Sequence, residues 1–269
     1  MIYSFIGLGN MAGAILRGMI QSGHYLHDTL TGFDSSELAA SLLQKDVGLV
    51  PLKTLQEAAQ QGDILVLCVK PQVMPEVLTH IKDSIKPEAL VITIAAGLSL
   101  SYYESRLPGG TAIIRTMPSL NAMVTAASSA LCRNEHVSIE QMQRGQTLLS
   151  SIGSVHEIPE TLFPAFSAIA GAAPAFAFQF VDALAQAGVQ AGLTRQMAQE
   201  TACEMLFGSG KLLMSSHEHP RVLMDKVTSP GGTTIEGVLK LDELGFTKAL
   251  HAAVRAVIDK DKLLGKDEH

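Results

Sequence analysis

Tryptophan is absent from this chain, and aromatic residues make up only 5% of its 269 positions. Cysteine is scarce too. Cys68, Cys132 and Cys203 stand far apart with no C-x-x-C pair, which argues against a zinc or disulfide framework and fits buried thiols in a reducing compartment. Only 17% of residues are charged, and 26 acidic side chains outnumber 20 basic ones. A net charge of −6 excludes a nucleic-acid binder of the usual kind, because phosphate neutralisation needs a basic face. The chain is 47% apolar, too much for a disordered polymer. The first apolar run, Ile2–Ile6, has no basic segment before it, so no secretory leader is expected. One uncharged stretch, residues 162–181, is long enough to cross a bilayer, but its alanines and glycines supply little transfer energy. It is expected to be a buried helix or a subunit interface, in a cytoplasmic protein that binds no membrane. A mean hydropathy of +0.24 is high for a soluble monomer and points to apolar surface facing another subunit.

What is present falls into two textures. Up to about residue 160, short apolar runs alternate with helical patterns. The strand candidates are Ile2–Ile6, Thr29–Phe33 and residues 64–69, 90–94, 112–115 and 126–131, with helices at Asn10–Ser22 and residues 36–43. Unbroken apolar strands alternating with helices predict a parallel sheet covered on both faces, an α/β half spanning residues 1–160. From 161 to 269 the sequence reads as helices only, at residues 175–191, 194–215, 235–241 and Phe246–Leu264. Stripes containing Leu206, Phe207, Leu212, Leu213, Met214, Ala249, Leu250, Ala253 and Val257 exceed what a small helical domain can bury alone, and predict pairing with a second copy.

The first strand runs into Gly7-Leu8-Gly9-Asn10-Met11-Ala12, a G-x-G-x-x-A turn that opens a helix. Between a strand and a helix, this pattern identifies the first turn of a doubly wound, Rossmann-type dinucleotide fold. Gly7 permits the tight turn, and Gly9 lets the backbone approach a pyrophosphate that the helix N-terminus attracts. The candidate cofactor residues here are Ile6, Gly7, Leu8, Gly9, Asn10 and Met11. Asp34 ends the second strand, 25 positions after Gly9, where an acid holds the adenosine ribose diol. A carboxylate there repels a 2′-phosphate and leans the prediction towards NADH, although Ser35 and Ser36 leave NADPH open. His217-Glu218-His219 lacks the i, i+4 spacing of a helical zinc site, so no metal is expected.

Further segments together resemble the pyrroline-5-carboxylate reductases, which reduce a cyclic imine to proline. They are Cys68-Val69-Lys70-Pro71-Gln72, Ala95-Ala96-Gly97-Leu98-Ser99, Arg115-Thr116-Met117-Pro118, Gly171-Ala172-Ala173-Pro174-Ala175-Phe176 and Val227-Thr228-Ser229-Pro230-Gly231-Gly232-Thr233-Thr234-Ile235. The resemblance spans nearly the whole chain in order, and the last segment is close to a family signature. It implies an N-terminal dinucleotide domain, a C-terminal helical dimerisation domain, and in some members rings of dimers. In a doubly wound sheet, Val69, Lys70, Pro71, Ala95, Ala96 and Gly97 fall beyond the carboxyl ends of strands and can line the dinucleotide. Lys70 either pairs with a phosphate or caps the sheet edge. The small Ala95–Gly97 residues either admit the cofactor or allow close strand–helix packing.

For the substrate, the resemblance implies that Gly231, Gly232, Thr233 and Thr234, with Ser229 beside them, hold a carboxylate. Backbone N–H groups at a helix N-terminus suit that role. The resemblance also assigns the Thr234 hydroxyl to the ring nitrogen, as the catalytic contact, and Glu160 to the proline-ring site. Three places depart from the family. Ala172 and Ala173 replace hydroxyl or glycine positions, Ser119 stands where an Asn is usual, and Lys226 stands where some relatives carry a cofactor-contacting Asn. Two other functions fit less of the sequence. A β-hydroxyacid dehydrogenase needs a G-x-x-x-N-x-x-K helix that is missing here. A non-catalytic nucleotide-binding relative would explain the lost hydroxyls.

Overall fold

A computed structural model describes residues 1–264. By its internal contacts the chain forms two compact units. One comprises residues 1–171 together with the end of the last helix from Val257, and the other comprises residues 172–256.

The first unit is built on an eight-stranded sheet in the order β3-β2-β1-β4-β5-β6-β7-β8. Its strands are β1 (Ile2–Ile6), β2 (Thr29–Phe33), β3 (Val50–Pro51), β4 (Ile64–Leu67), β5 (Leu90–Thr93), β6 (Ala112–Met117), β7 (Ala127–Arg133) and β8 (Gly153–Glu157). Every neighbouring pair is parallel except β6–β7. That pair is joined only by the short turn Leu120–Val124, too brief for the crossover that a parallel pair requires. The sheet is therefore mostly parallel. The sequence pattern misses β3, which has two residues, and β8, whose Gly-Ser-Val-His-Glu run is partly exposed and mostly polar.

The helices of this unit are α1 (Asn10–Ser22), α2 (Glu37–Val47), α3 (Leu55–Gln61), α4 (Met74–Ile81), α5 (Leu100–Glu104), α6 (Ile139–Ser150) and α7 (Phe163–Phe166). Alternation along the strands divides the core into two layers. Ile64 and Val66 face the layer containing Ile15, Leu16 and Met19 of α1 and Leu148 of α6. Leu65 and Leu67 face the layer containing Ala58 of α3 and Met74, Val77 and Leu78 of α4. Strands β4 and β5 are buried throughout, which explains their unbroken apolar runs. Local signals set the helix ends. Ser36 caps α2 by accepting the Ala39 N–H, Ser138 and Gln141 form a reciprocal capping box on α6, and Gly23 closes α1 at φ 71°.

The second unit is entirely helical. It contains α8 (Ala173–Gln190), α9 (Arg195–Ser216), α10 (Pro220–Val227), α11 (Thr233–Glu243) and the first part of α12 (Phe246–Leu264). Helix α10 is an addition to the sequence reading, announced only by Pro220 at its first position. Helices α8 and α9 approach closely where Gly188 meets Ala198, since a Cβ at Gly188 would lie 3.0 Å from that of Ala198. Few residues of this unit are buried within one chain, while Phe207, Met214 and Leu244 are exposed. The apolar stretch 160–190 is long enough to cross a membrane, yet its most apolar window is only 11% buried here. Of the two expectations for that stretch, a subunit interface fits this exposure and burial within one chain does not. Within one chain α9 packs against α8 and leaves Phe178 and Leu184 of α8 exposed.

Candidate active site

Chain order in the sheet reverses at β1 and β4, and the crevice beyond their carboxyl ends is where a doubly wound sheet takes its ligand. Gly7 leaves β1 at φ 88° and donates its N–H to the Phe33 carbonyl at 2.9 Å. A Cβ on Gly7 would stand 2.9 Å from the Cys68 carbonyl carbon, so both the left-handed backbone and the neighbouring chain require glycine. Gly9 is the N-cap of α1, and a Cβ there would meet nothing within 4 Å. Its backbone faces open space. That is the fit a pyrophosphate needs against helix N–H groups.

Two cavities open at this crevice. One, of about 600 Å³, is lined by Gly9, Asn10, Met11, Val69, Lys70, Pro71, Ala95 and Ala96, together with Met117, Pro118, Leu120 and Met123. The other, of about 320 Å³, is lined by Ile6, Gly7, Asp34, Ser35 and Val69, together with Leu55, Val73, Glu76 and Val77. Val69 borders both. Turns distant in sequence are thus gathered around a space with one glycine-rich and one acidic end.

Three of the expected cofactor residues line neither cavity. The Leu8 side chain is buried in the core, and its N–H goes to Asp34 Oδ2 at 2.6 Å. Ser36 caps α2 and donates its N–H to Asp34 Oδ1 at 2.8 Å. Gly97 lines a small recess with Ala95, Ala96, Arg115, Phe163 and Ser167. Lys70 is exposed and forms no ion pair among the described residues. The apolar wall of Leu55, Val73 and Val77 has no sequence signal, because α3, α4 and the turn before α4 place these side chains by packing and carry no ligand motif there.

Arg115, which the sequence marks only as part of the Arg115–Pro118 segment, has a definite place in the structure. It is buried, with Nη1 at 2.7 Å from Glu160 Oε1 and the guanidinium 4.5 Å from the centre of the Phe163 ring. The same Glu160 oxygen accepts the Leu100 N–H at 2.7 Å, at the start of α5. Glu160 thereby ties β6 to the loop that follows β5. Burial pushes the thiols of Cys132, beside this pair, and of Cys68, at the cofactor cleft, well above the ordinary thiol range.

The hydroxyl- and glycine-rich loop belongs to the helical unit. Gly231 adopts φ 67°, Gly232 is the N-cap of α11 and donates its N–H to the Ser229 carbonyl at 3.0 Å, and Thr233 begins the helix. Thr233 and Thr234 are exposed in the first turn, beside N–H groups that the helix leaves unpaired. Lys226 of α10 is held by both oxygens of Glu218, at 2.6 and 2.8 Å.

Comparison with known proteins agrees with this arrangement. Residues 160–264 match the family described as pyrroline-5-carboxylate reductase dimerisation, and residues 2–97 match that described as NADP oxidoreductase coenzyme F420-dependent. The chain is 38% identical to the pyrroline-5-carboxylate reductase of Synechocystis and 35% identical to that of Methanosarcina acetivorans, with 97% of each chain covered in both cases. Among solved structures it resembles 1-pyrroline-5-carboxylate reductase of Streptococcus pyogenes, with a TM-score of 0.88 at 34% identity over 97% of this chain and 98% of that one. The NADP-bound pyrroline carboxylate reductase of Plasmodium falciparum gives a TM-score of 0.88 at 28% identity over 98% of each. A 3-hydroxyisobutyrate dehydrogenase of Mycobacterium tuberculosis, at 17% identity and a TM-score of 0.51, shares the fold alone. With relatives above 30% identity along nearly its entire length, the chain belongs to the pyrroline-5-carboxylate reductase family.

Proposed function

We propose that this protein reduces 1-pyrroline-5-carboxylate to L-proline, the last step of proline biosynthesis, with a reduced nicotinamide dinucleotide as hydride donor. The observation that carries the reading is the full-length match to pyrroline-5-carboxylate reductases together with a cleft of about 600 Å³ at the glycine-rich turn. The dinucleotide, when bound, supplies the hydride. Gly7, Gly9, Asn10 and Met11 hold its pyrophosphate at the N-terminus of α1. Ile6, Asp34, Ser35 and Ser36 form the adenosine end, with Leu8 contributing through the hydrogen bond that fixes Asp34. Val69, Lys70, Pro71, Ala95, Ala96 and Gly97 border the nicotinamide half. The carboxylate at Asp34 supports a preference for NADH, because a 2′-phosphate placed against it meets like charge.

The residues of the helical unit orient the imine. Backbone N–H groups of Gly231, Gly232 and Thr233 bind the substrate carboxylate, with Ser229 shaping the turn. The Thr234 hydroxyl accepts a hydrogen bond from the protonated ring nitrogen and can donate one to the amine that follows. A cyclic iminium is electrophilic by itself, so positioning matters more than a strong protein acid. Glu160 commits Oε1 to Arg115 and Leu100, which leaves Oε2 as its means of acting at the ring site. Dimerisation through α8 to α12 covers the exposed apolar faces, and a ring of dimers is a further level of assembly. The cytoplasm supplies both the reductant and the imine.

The test is the oxidation of NADH and of NADPH by purified protein, with and without pyrroline-5-carboxylate, followed by nicotinamide absorbance. Imine-dependent turnover supports the reading. Nucleotide binding without turnover overturns it.

A further inference from the structure

The 320 Å³ cavity is lined by a second acidic residue besides Asp34. Glu76 reaches it from the first turn of α4. Its carboxylate has no hydrogen bond or ion pair among the described residues; only its backbone carbonyl is engaged, by His80 Nδ1 at 2.8 Å. Leu55, Val73 and Val77 give the cavity an apolar wall of the kind that takes the flat face of a purine. Neither lysine nor arginine is among its described lining residues. An adenosine seated there has Asp34 beside its ribose and Glu76 on the facing helix, with Lys70 lining only the adjoining cavity. A 2′-phosphate adds a doubly charged group to that space, where both acidic residues lie closer than the Debye length of about 8–10 Å.

We infer that Glu76 is a second determinant of dinucleotide choice, acting with Asp34 to disfavour a 2′-phosphorylated cofactor. The inference rests on the proposed placement of the adenosine half in this cavity. A simpler role for Glu76 is favourable interaction with the N-terminus of α4, and that role affects stability without distinguishing one nucleotide from another.

Calorimetric Kd values for NAD+ and NADP+, with kcat/KM for the two reduced forms, should be measured for wild type, Asp34→Asn, Glu76→Gln and Glu76→Lys. Glu76→Gln is expected to shift both ratios about fivefold towards the phosphorylated cofactor, and Glu76→Lys further, with the shifts shrinking at high salt. If Asp34→Asn moves the ratios and neither Glu76 variant does, Glu76 has no part in the choice while the nucleotide placement stands. If none of the three variants moves them, the placement of the adenosine is overturned together with the inference. Glu76 is exposed, so its two substitutions leave folding intact, and the thermal midpoint of each variant verifies it.

Discussion

Asp34 Oδ2 accepts the backbone N–H of Leu8 at 2.6 Å, so the acid at the end of β2 is bonded to the glycine-rich turn it faces. Oδ1 takes the N–H of Ser36 in the same way. A carboxylate has about four acceptor positions, and those left over can serve a ribose diol. Asp34→Ala should therefore loosen the turn and raise KM for NADH by about tenfold, from the loss of charged hydrogen bonds, and raise KM for NADPH less, because the like charge facing a 2′-phosphate is lost with it. Asp34→Asn, which keeps one acceptor, should raise it less. Initial-rate kinetics with each cofactor check both.

Thr234→Ala should lower kcat/KM for the imine about tenfold or more, since it removes a hydrogen bond to the reacting nitrogen. Thr234→Ser keeps the hydroxyl and should retain most of the activity. Equal rates for wild type and the alanine variant would take Thr234 out of the mechanism.

Arg115→Met should destabilise the fold by about 2 kcal/mol, below the roughly 3–5 kcal/mol of a fully buried pair because the Glu160 side chain remains 31% exposed. The Leu100 N–H keeps its acceptor, so the loss should come chiefly from the unpaired carboxylate. Denaturant unfolding of the two proteins, compared at equal concentration, measures it.

Phe207 and Met214 are 73% and 80% exposed on α9 in a single chain. Two such stripes packed together bury what neither can cover alone. Phe207→Glu combined with Met214→Glu should shift sedimentation towards the monomer. An unchanged assembly would show that this face of α9 lies outside the subunit contact.

The Asp63 carboxyl is held below the usual aspartate range, first by Lys86 Nζ at 2.6 Å and then by the Ile2 N–H at 2.8 Å. With the folded pKa depressed, its stabilisation is complete above about pH 4 and fades as pH falls through the lower folded value. Both side chains are more than a third exposed, which keeps the effect below about 1 kcal/mol. Lys86→Met should lower stability at neutral pH and leave it nearly unchanged well below pH 4, as read from melting temperature against pH.

The sequence by itself determined the α/β half, the glycine-rich turn and the helical half, because each rests on local rules. Fully buried strands must be apolar at every position, a turn at φ 88° demands Gly7, and a capped helix announces its start at Ser36. Strands lacking such rules escaped notice. β3 is too short to show a period, and β8 is partly exposed and mostly polar, so neither carries an apolar pattern. The antiparallel β6–β7 pair was also illegible, since it follows from the length of one turn rather than from either strand's composition. Only the tertiary structure decided which side chains meet. Glu160 reached Arg115 across 45 positions, and Glu76 joined Asp34 around one cavity although α4 carries no ligand motif. Such contacts depend on how a sheet orders its strands, and that order is set by the packing of both layers together rather than by any local run of residues.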